Sequence, residues 1–168
     1  LLIRLTWAAL AESVDPFLVS DPLLGDAASY HRLALNILAG EGYSQHPPQP
    51  SSFWPPLYPY TLAGIFRLLN QELVTVRIVQ AVWGVVPVAV FTWIAHKHFG
   101  RSEALLVGIG LALYPYLIYF GAWLIAEALF LMLFAVAIYC AFQFYQHPGY
   151  GWLIGMGGLS GLSILAKP

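Results

Sequence analysis

The chain has 168 residues, of which 60% are hydrophobic and only 9% are charged, and its formal net charge is −1. Soluble globular domains carry about 25% charged residues, so this composition excludes an ordinary soluble domain and indicates a membrane protein. The near-neutral charge, without a basic run, excludes a nucleic-acid partner. The single cysteine, Cys140, excludes an intrachain disulfide framework.

The amino-terminal run LLIRLTWAAL, residues 1–10, is apolar but too short to cross a bilayer. A spanning helix needs about 20 consecutive apolar residues. We therefore expect residues 1–10 to be the end of a first span, and the chain to be the amino-terminal part of a longer protein. Residues 11–70 hold several acids and many prolines, which predicts a long loop outside the membrane core.

Two short helices are predicted within this loop. Residues 27–39 carry a partial apolar stripe, preceded by Asp26 as an N-cap and followed by Gly40 as a C-terminal stop. Residues 57–69 are apolar but too short to span, which is typical of a helix lying at the membrane interface. Tyr58 belongs to the aromatic residues there that favour headgroup depth.

Four apolar segments follow in residues 71–168. They are predicted as spans over 73–95, 104–120, 127–146 and 151–166. The predicted fold class is an all-α membrane protein with about four transmembrane helices, the end of another, and a long first loop. Lys97 and Arg101 in the turn after the first of these spans favour a cytoplasmic position for that turn, which makes the first loop extracytoplasmic.

One acid is isolated among the spans. Between Glu103 and Lys167, with His147 neutral, Glu127 is the only residue charged at pH 7. A carboxylate at a span is costly if it faces lipid, so such a residue usually faces a cavity, a partner or a site. Because successive helix ends alternate sides, counting spans puts Glu127 on the same membrane face as Asp26.

The loop also contains a recognisable pattern, GDAASYHRLALNILAGEGYS followed by PPLYPYTLAGIF. It resembles the start of the bacterial protein-mannosyltransferase-like and aminoarabinose-transferase-like membrane glycosyltransferases, which have the C-type glycosyltransferase superfold. The positions that carry the resemblance are an acid, a tyrosine four residues later, an alanine, a glycine pair and a Pro-Pro-x-Tyr-Pro run: Asp26, Tyr30, Ala34, Gly40 with Gly42, and residues 55–59. The resemblance continues to the LAKP end of the chain.

The resemblance implies transfer of a sugar from a polyprenyl-phosphate carrier to an acceptor on the extracytoplasmic face, with Asp26 as the essential acid. The sequence departs from the pattern at three places. Ala27 follows the aspartate where many relatives have glutamate, Ser29 stands where some have arginine, and Trp54 stands where some have a basic residue. These departures leave the basic contacts to the carrier phosphate unassigned and point toward the broad bacterial relatives of this family.

Each candidate catalytic acid has a structural alternative. Asp26 fits a general base that takes the acceptor proton, and it also fits a helix N-cap that stabilises by about 1 kcal/mol. Glu127 fits a residue that orients the donor or acceptor, or that pairs with an arginine such as Arg32. The alternative for Glu127 is a structural hydrogen bond or exposure at the interface.

Four further residues are candidates for binding the donor or the acceptor. Tyr30 lies one turn after Asp26 on the same helix face, although plain packing explains it equally well. Tyr58 belongs to the Pro-Pro-Leu-Tyr-Pro run. Lys167, where relatives have arginine before proline, fits a contact to the carrier phosphate, with snorkelling to the interface as the alternative. Arg32 is a second candidate for the phosphate.

The sequence therefore predicts an integral-membrane glycosyltransferase of a bacterial-type inner membrane. Its expected partners are a polyprenyl-phosphate sugar, membrane lipid and an unidentified acceptor. We expect no cofactor and no metal, because no histidine has a convincing ligand spacing. The rival hypotheses are a transporter or channel subunit that uses Glu127 at a broken helix, and an inactive membrane scaffold.

Overall fold

The computed structural model describes residues 1–167, and these residues form helices joined by mostly short connections and one long one, residues 40–56, with no β-strand among them. In chain order the helices are α1 (Leu2–Val14), α2 (Pro16–Ser20), α3 (Asp26–Ala39), α4 (Leu57–Leu68), α5 (Leu73–Trp83), α6 (Val85–His98), α7 (Arg101–Leu113), α8 (Pro115–Tyr119), a 3₁₀ turn (Phe120–Ala122), α9 (Glu127–Gln146) and α10 (Tyr150–Ala166).

Two helical stretches in the described chain are long and apolar enough to cross a membrane. They are Leu73–His98, which joins α5 and α6, and Glu127–Gln146, which is α9. A third crossing is obtained if α7 and the segment Pro115–Ala122 count as one broken span. Helix α10 is apolar but only 17 residues long. The all-helical membrane fold is thus present with two or three candidate spans, whereas the sequence predicts four.

The predicted span 104–120 is not one straight helix. The chain bends by 48° between α7 and the segment Pro115–Ala122. Tyr114 is extended there, with φ −61° and ψ 113°, because a residue that precedes proline is pushed out of the helical region. The predicted span is therefore broken at Tyr114, and its second half is a short helix followed by a 3₁₀ turn.

The amino-terminal part of the first loop is more helical than predicted. Helix α1 continues to Val14, four residues beyond the predicted end of the first segment. Asp15 then caps α2, since its carboxylate accepts a hydrogen bond from the amide of Phe17 at 2.9 Å. The loop helices α3 and α4 lie within one residue of the predicted 27–39 and 57–69.

The ends of α3 differ in how well they match prediction. Gly40 is the C-cap with φ +80°, a left-handed conformation that glycine adopts without strain. At the other end Gly25 occupies the cap position, and Asp26 is the first helical residue with no capping hydrogen bond from its side chain. The prediction of Asp26 as an N-cap is therefore wrong, and its carboxylate is left exposed on the first turn.

The loop helices pack onto the membrane helices at one end of the bundle. Helix α3 contacts α4, α4 contacts α10, and α9 and α10 lie antiparallel against each other. One buried cluster joins all four helices, and its members include Ala27, Leu62, Leu124, Leu129 and Ala166. The start of α9 and the end of α10 are therefore covered by the loop helices, which positions the candidate site.

Candidate functional site

Asp26, Glu127 and Lys167 lie at the same end of the helix bundle. Their chain neighbours Ala27, Ala126 and Ala166 are all buried in the single cluster that joins the loop helices to α9 and α10. The charges of Asp26 and Glu127 also both act on the Tyr30 side chain. The two acids predicted to share one face are thus placed near one tyrosine.

Glu127 forms an ion pair with Lys167. The lysine ammonium donates to the Glu127 carboxylate, and the side chains are 26% exposed for the acid and 47% for the lysine. The predicted pairing of Glu127 with Arg32 is therefore wrong. Arg32 is exposed on α3 and forms no ion pair within residues 1–167. The antiparallel packing of α9 and α10 favours Lys167 because it places the end of one helix beside the start of the other.

Tyr30 is buried between two aromatic rings. It packs edge-on against Trp54, with ring centroids 5.0 Å apart, and against Tyr58 at 4.9 Å. Burial, with the negative charges of Asp26 and Glu127, raises the pKa of Tyr30 to about 12. The hydroxyl therefore stays protonated at neutral pH and is able to donate a hydrogen bond.

Tyr58 is fully buried, and its hydroxyl is already used. It donates a 2.6 Å hydrogen bond to the side-chain oxygen of Gln80. Burial raises the pKa of Tyr58 well above its usual value, with smaller contributions from Tyr30 and Glu127. Tyr58, which the sequence predicts as a substrate contact, is in this conformation a packing residue beneath the site.

A groove of about 730 Å³ opens beside the ion pair. Its walls come from α9, α10 and the break after α7, and they are mostly apolar. The lining residues are Tyr114, Tyr116, Leu117, Glu127, Phe130, Leu131, Phe134, Ser160, Ser163, Ile164 and Lys167. Glu127 and Lys167 are the charged members of this set, so the groove combines one ionic end with apolar walls.

A buried polar layer, absent from the predicted site residues, holds the segment that precedes Glu127. The amide nitrogen of Gln80 donates to the carbonyl oxygens of Gly121 at 3.1 Å and Trp123 at 2.7 Å. Arg77 donates to the carbonyl of Ala122 at 2.9 Å. The signal in the sequence is two polar residues three positions apart, hence on one helix face, inside an apolar span.

Arg77 is anchored on its other side by the first helix. Its guanidinium forms an ion pair with Glu12 of α1, and Arg77 is 1% exposed. Glu12 is not among the predicted site residues either, because the sequence places it in an undefined part of the loop. The ion pair joins α1 to α5. With Arg77 held in this way, the carbonyl groups of residues 121–123 have hydrogen-bond partners on α5 and do not face lipid unpaired.

Asp26 is the acid of this region that has no structural partner. Its carboxylate is exposed on the first turn of α3 and forms no hydrogen bond or ion pair within residues 1–167. A carboxylate that is accessible and unpaired is able to accept a proton from an incoming hydroxyl group. Lys167, at the mouth of the groove, supplies a positive charge suited to a phosphate.

Comparison with known proteins gives one family. The model of a family described as dolichyl-phosphate-mannose-protein mannosyltransferase matches residues 53–168, which is most of the chain. The match includes Tyr58, Glu127 and Lys167, and it begins after Asp26 and Tyr30. No curated protein and no solved structure was found to match the chain.

Proposed function

The chain belongs to the dolichyl-phosphate-mannose-protein mannosyltransferase family, and from this premise we propose that it transfers a sugar from a polyprenyl-phosphate-linked donor to an acceptor hydroxyl at the extracytoplasmic membrane face. The family indicates a membrane glycosyltransferase that uses a lipid-linked sugar donor. The carrier type, the face and the residue roles are the parts that we propose.

The observation that supports this function best is the placement of the charged residues at the mouth of an apolar groove. A lipid-linked sugar has an apolar tail, a phosphate and a polar sugar in that order. The groove walls offer apolar contacts along α9 and α10, and Lys167 offers a cation at their end. Asp26 and Tyr30 belong to α3 at the same end of the bundle, and we propose that the sugar and the acceptor meet there.

The roles follow from the bonds that change. The sugar–phosphate bond breaks, the acceptor oxygen bonds to the sugar, and the acceptor loses its proton. We assign that proton to the exposed carboxylate of Asp26 and the negative charge on the departing phosphate to Lys167. We further assign to Tyr30, which lies one turn after Asp26 on α3 and is protonated at neutral pH, a hydrogen bond to the Asp26 carboxylate that forms when substrate is bound.

The remaining assignments are proposals of the same kind. We propose that the protein resides in a bacterial-type inner membrane and that its reaction needs no resident metal, because a phosphate leaving group is already activated. Glu127 and Arg32 do not receive a role in proton transfer. Arg32 remains a candidate contact for the carrier or the acceptor on the exposed face of α3.

The experiment that tests the function is a transfer assay in proteoliposomes with radiolabelled polyprenyl-phosphate sugars and a panel of hydroxyl acceptors. The variant Asp26→Asn removes the base and keeps the size of the side chain, so we expect transfer to fall about 100-fold or more. Helix content and unfolding midpoint should stay at wild-type values, because Asp26 makes no structural contact.

Asp21→Asn is the matched control. Asp21 is exposed in the same loop and accepts a hydrogen bond from the amide of Leu23 at 2.9 Å, which asparagine is also able to accept. We expect unchanged transfer from this variant. Wild-type turnover by Asp26→Asn would remove Asp26 from the mechanism, and failure of the unmodified protein to transfer any labelled sugar would remove the proposed function itself.

A further inference from the structure

The cation at the groove mouth is already engaged by an anion of the same chain. Lys167 pairs with Glu127, and both residues line the groove. We propose that Glu127 is an internal competitor for the lipid phosphate: it holds Lys167 while the groove is empty and is displaced when an isoprenoid phosphate enters. This inference rests on the proposed function and adds to it a switch that is driven by substrate binding.

The exposure of the pair makes such an exchange easy. Lys167 is 47% exposed and Glu127 is 26% exposed, so both groups are partly solvated. Pairs of this kind contribute little, equivalent to about fivefold at most in an equilibrium constant. A phosphate offers several charged oxygens and stronger charge-assisted hydrogen bonds. The phosphate therefore displaces the Glu127 carboxylate from Lys167 when the rest of the lipid molecule is also bound.

The walls of the groove identify the rest of that molecule. Phe130 and Phe134 follow Glu127 on α9, and Ile164 precedes Lys167 on α10. Phe134 is seven residues from Glu127, about 10 Å along the helix axis. An apolar chain attached to a phosphate covers these walls while its charge reaches Lys167. Free phosphate has no apolar part to contact the groove walls, so the expected occupant is an isoprenoid phosphate.

A displaced Glu127 carboxylate has a second cavity beside it, whose largely apolar lining includes two polar side chains. Glu127 also lines a second, smaller cavity of about 30 Å³, which adjoins the groove at Tyr116 and Leu117 and is lined by Arg4 and Gln80 as well. A volume of that size accommodates a water molecule beside polar groups. Glu127 thus lines both a groove that suits a lipid and an adjoining cavity large enough for a water molecule.

The same competition aids product release. The donor is a phosphodiester with one negative charge, and the product is a phosphate monoester with a charge of about −1.5 to −2 at pH 7. The product consequently holds Lys167 more tightly than the donor does. When Glu127 pairs again with Lys167, it opposes that extra attraction and favours departure of the spent carrier.

The test is equilibrium binding of radiolabelled decaprenyl phosphate to the protein in phosphatidylcholine nanodiscs. We expect Glu127→Gln to raise the affinity about fivefold, since the competing charge is gone. Lys167→Gln should lower the affinity about tenfold, and the double variant should match Lys167→Gln. Glu103→Gln and Lys97→Gln are the matched controls. Lys97 lies in the last turn of α6 and Glu103 in the first turn of α7, neither residue lines the groove, and both variants should bind the lipid like the unmodified protein.

Two further ligands distinguish the contribution of the lipid chain from that of the phosphate charge. Inorganic phosphate should fail to displace the labelled lipid, and decaprenol without phosphate should bind equally to the unmodified protein and to Glu127→Gln. Gain of affinity in Glu127→Gln is a result that a misfolded variant cannot imitate. Unchanged or weaker binding by this variant, or effective competition by inorganic phosphate, overturns the exchange while leaving the glycosyltransferase function standing. Absence of any lipid binding by the unmodified protein removes both.

Discussion

Replacement of Gln80 tests whether the buried polar layer holds the site together. Its side chain makes three hydrogen bonds: it accepts from the Tyr58 hydroxyl at 2.6 Å and donates to the carbonyls of Gly121 and Trp123. Gln80→Leu keeps a similar volume and removes all three. The Trp123 carbonyl retains a bond from the amide of Ile125 at 2.9 Å, so the groups left without a partner are the Tyr58 hydroxyl and the Gly121 carbonyl.

The expected loss follows from those two groups. Each buried polar group that loses its partner costs about 1–3 kcal/mol, so Gln80→Leu should lower the free energy of unfolding by about 2–6 kcal/mol. Tyr58→Phe removes the hydroxyl itself and leaves one free acceptor on Gln80, at about 1–2 kcal/mol. The double variant should lose about 1 kcal/mol less than the sum, because the two substitutions share one hydrogen bond.

The measurement is unfolding by sodium dodecyl sulfate in mixed micelles, followed by circular dichroism. Gln143→Leu is the control, since the Gln143 amide donates to the Tyr139 hydroxyl one turn earlier on α9, outside the buried layer. We expect that control to change stability by less than about 1 kcal/mol. A Gln80→Leu protein as stable as the control, or strict additivity with Tyr58→Phe, would refute the idea that this layer fixes the segment before Glu127.

Two further predictions concern the loop helix α3. Gly40→Ala places a side chain at φ +80° and should destabilise the fold by about 1 kcal/mol. The control is Gly64→Ala, in open space on α4, which should be neutral or stabilising. Thermal unfolding compares the two variants. Tyr30, whose folded pKa is about 12, keeps its proton when the unfolded chain loses it above pH 10. The folded state therefore loses stability between pH 10 and 12, and Tyr30→Phe should reduce that loss by about 2–3 kcal/mol in pH-dependent unfolding.

The local features of the loop were predictable because they depend on neighbours in the sequence. Helices α3 and α4 lie within one residue of their predicted bounds, and Gly40 ends α3 as a left-handed cap. The placement of Asp26 and Glu127 at one end of the bundle is compatible with the alternation of helix ends, while their shared membrane face stays a prediction. The break at Tyr114 was also encoded in the following proline, although the apolar composition of the segment outweighed that signal.

The partner of Glu127 could have been predicted from helix geometry. Helices α9 and α10 are joined by a turn at residues 147–149, so residues at equal distances on either side of the turn lie beside each other in an antiparallel pair. Glu127 is about 20 residues before that turn and Lys167 about 20 residues after it, with the same rise per residue on both helices. Arg32 was the named candidate because charge was considered without helix register.

The bonds of Gln80 and Arg77 could not be predicted in the same way. Their partners are carbonyl groups of residues 121–123, and these groups are free only because the chain leaves the helical conformation before α9 begins. A sequence shows which side chains are able to donate, but every residue has a carbonyl. Which carbonyls lack a helical partner depends on the break in the backbone, and that depends on how the α7–α9 segment packs against α5.

The two polar systems of this bundle differ in a way that suits different tasks. Arg77 is 1% exposed and Gln80 is equally buried, so rupture of their bonds leaves groups without water and costs several kcal/mol. Glu127 and Lys167 are partly solvated, so their separation costs about 1 kcal/mol or less. The buried layer therefore keeps the segment before Glu127 fixed at the temperature of catalysis, while the pair above it exchanges readily. A ligand that competes for Lys167 consequently moves two side chains and leaves the helices in place.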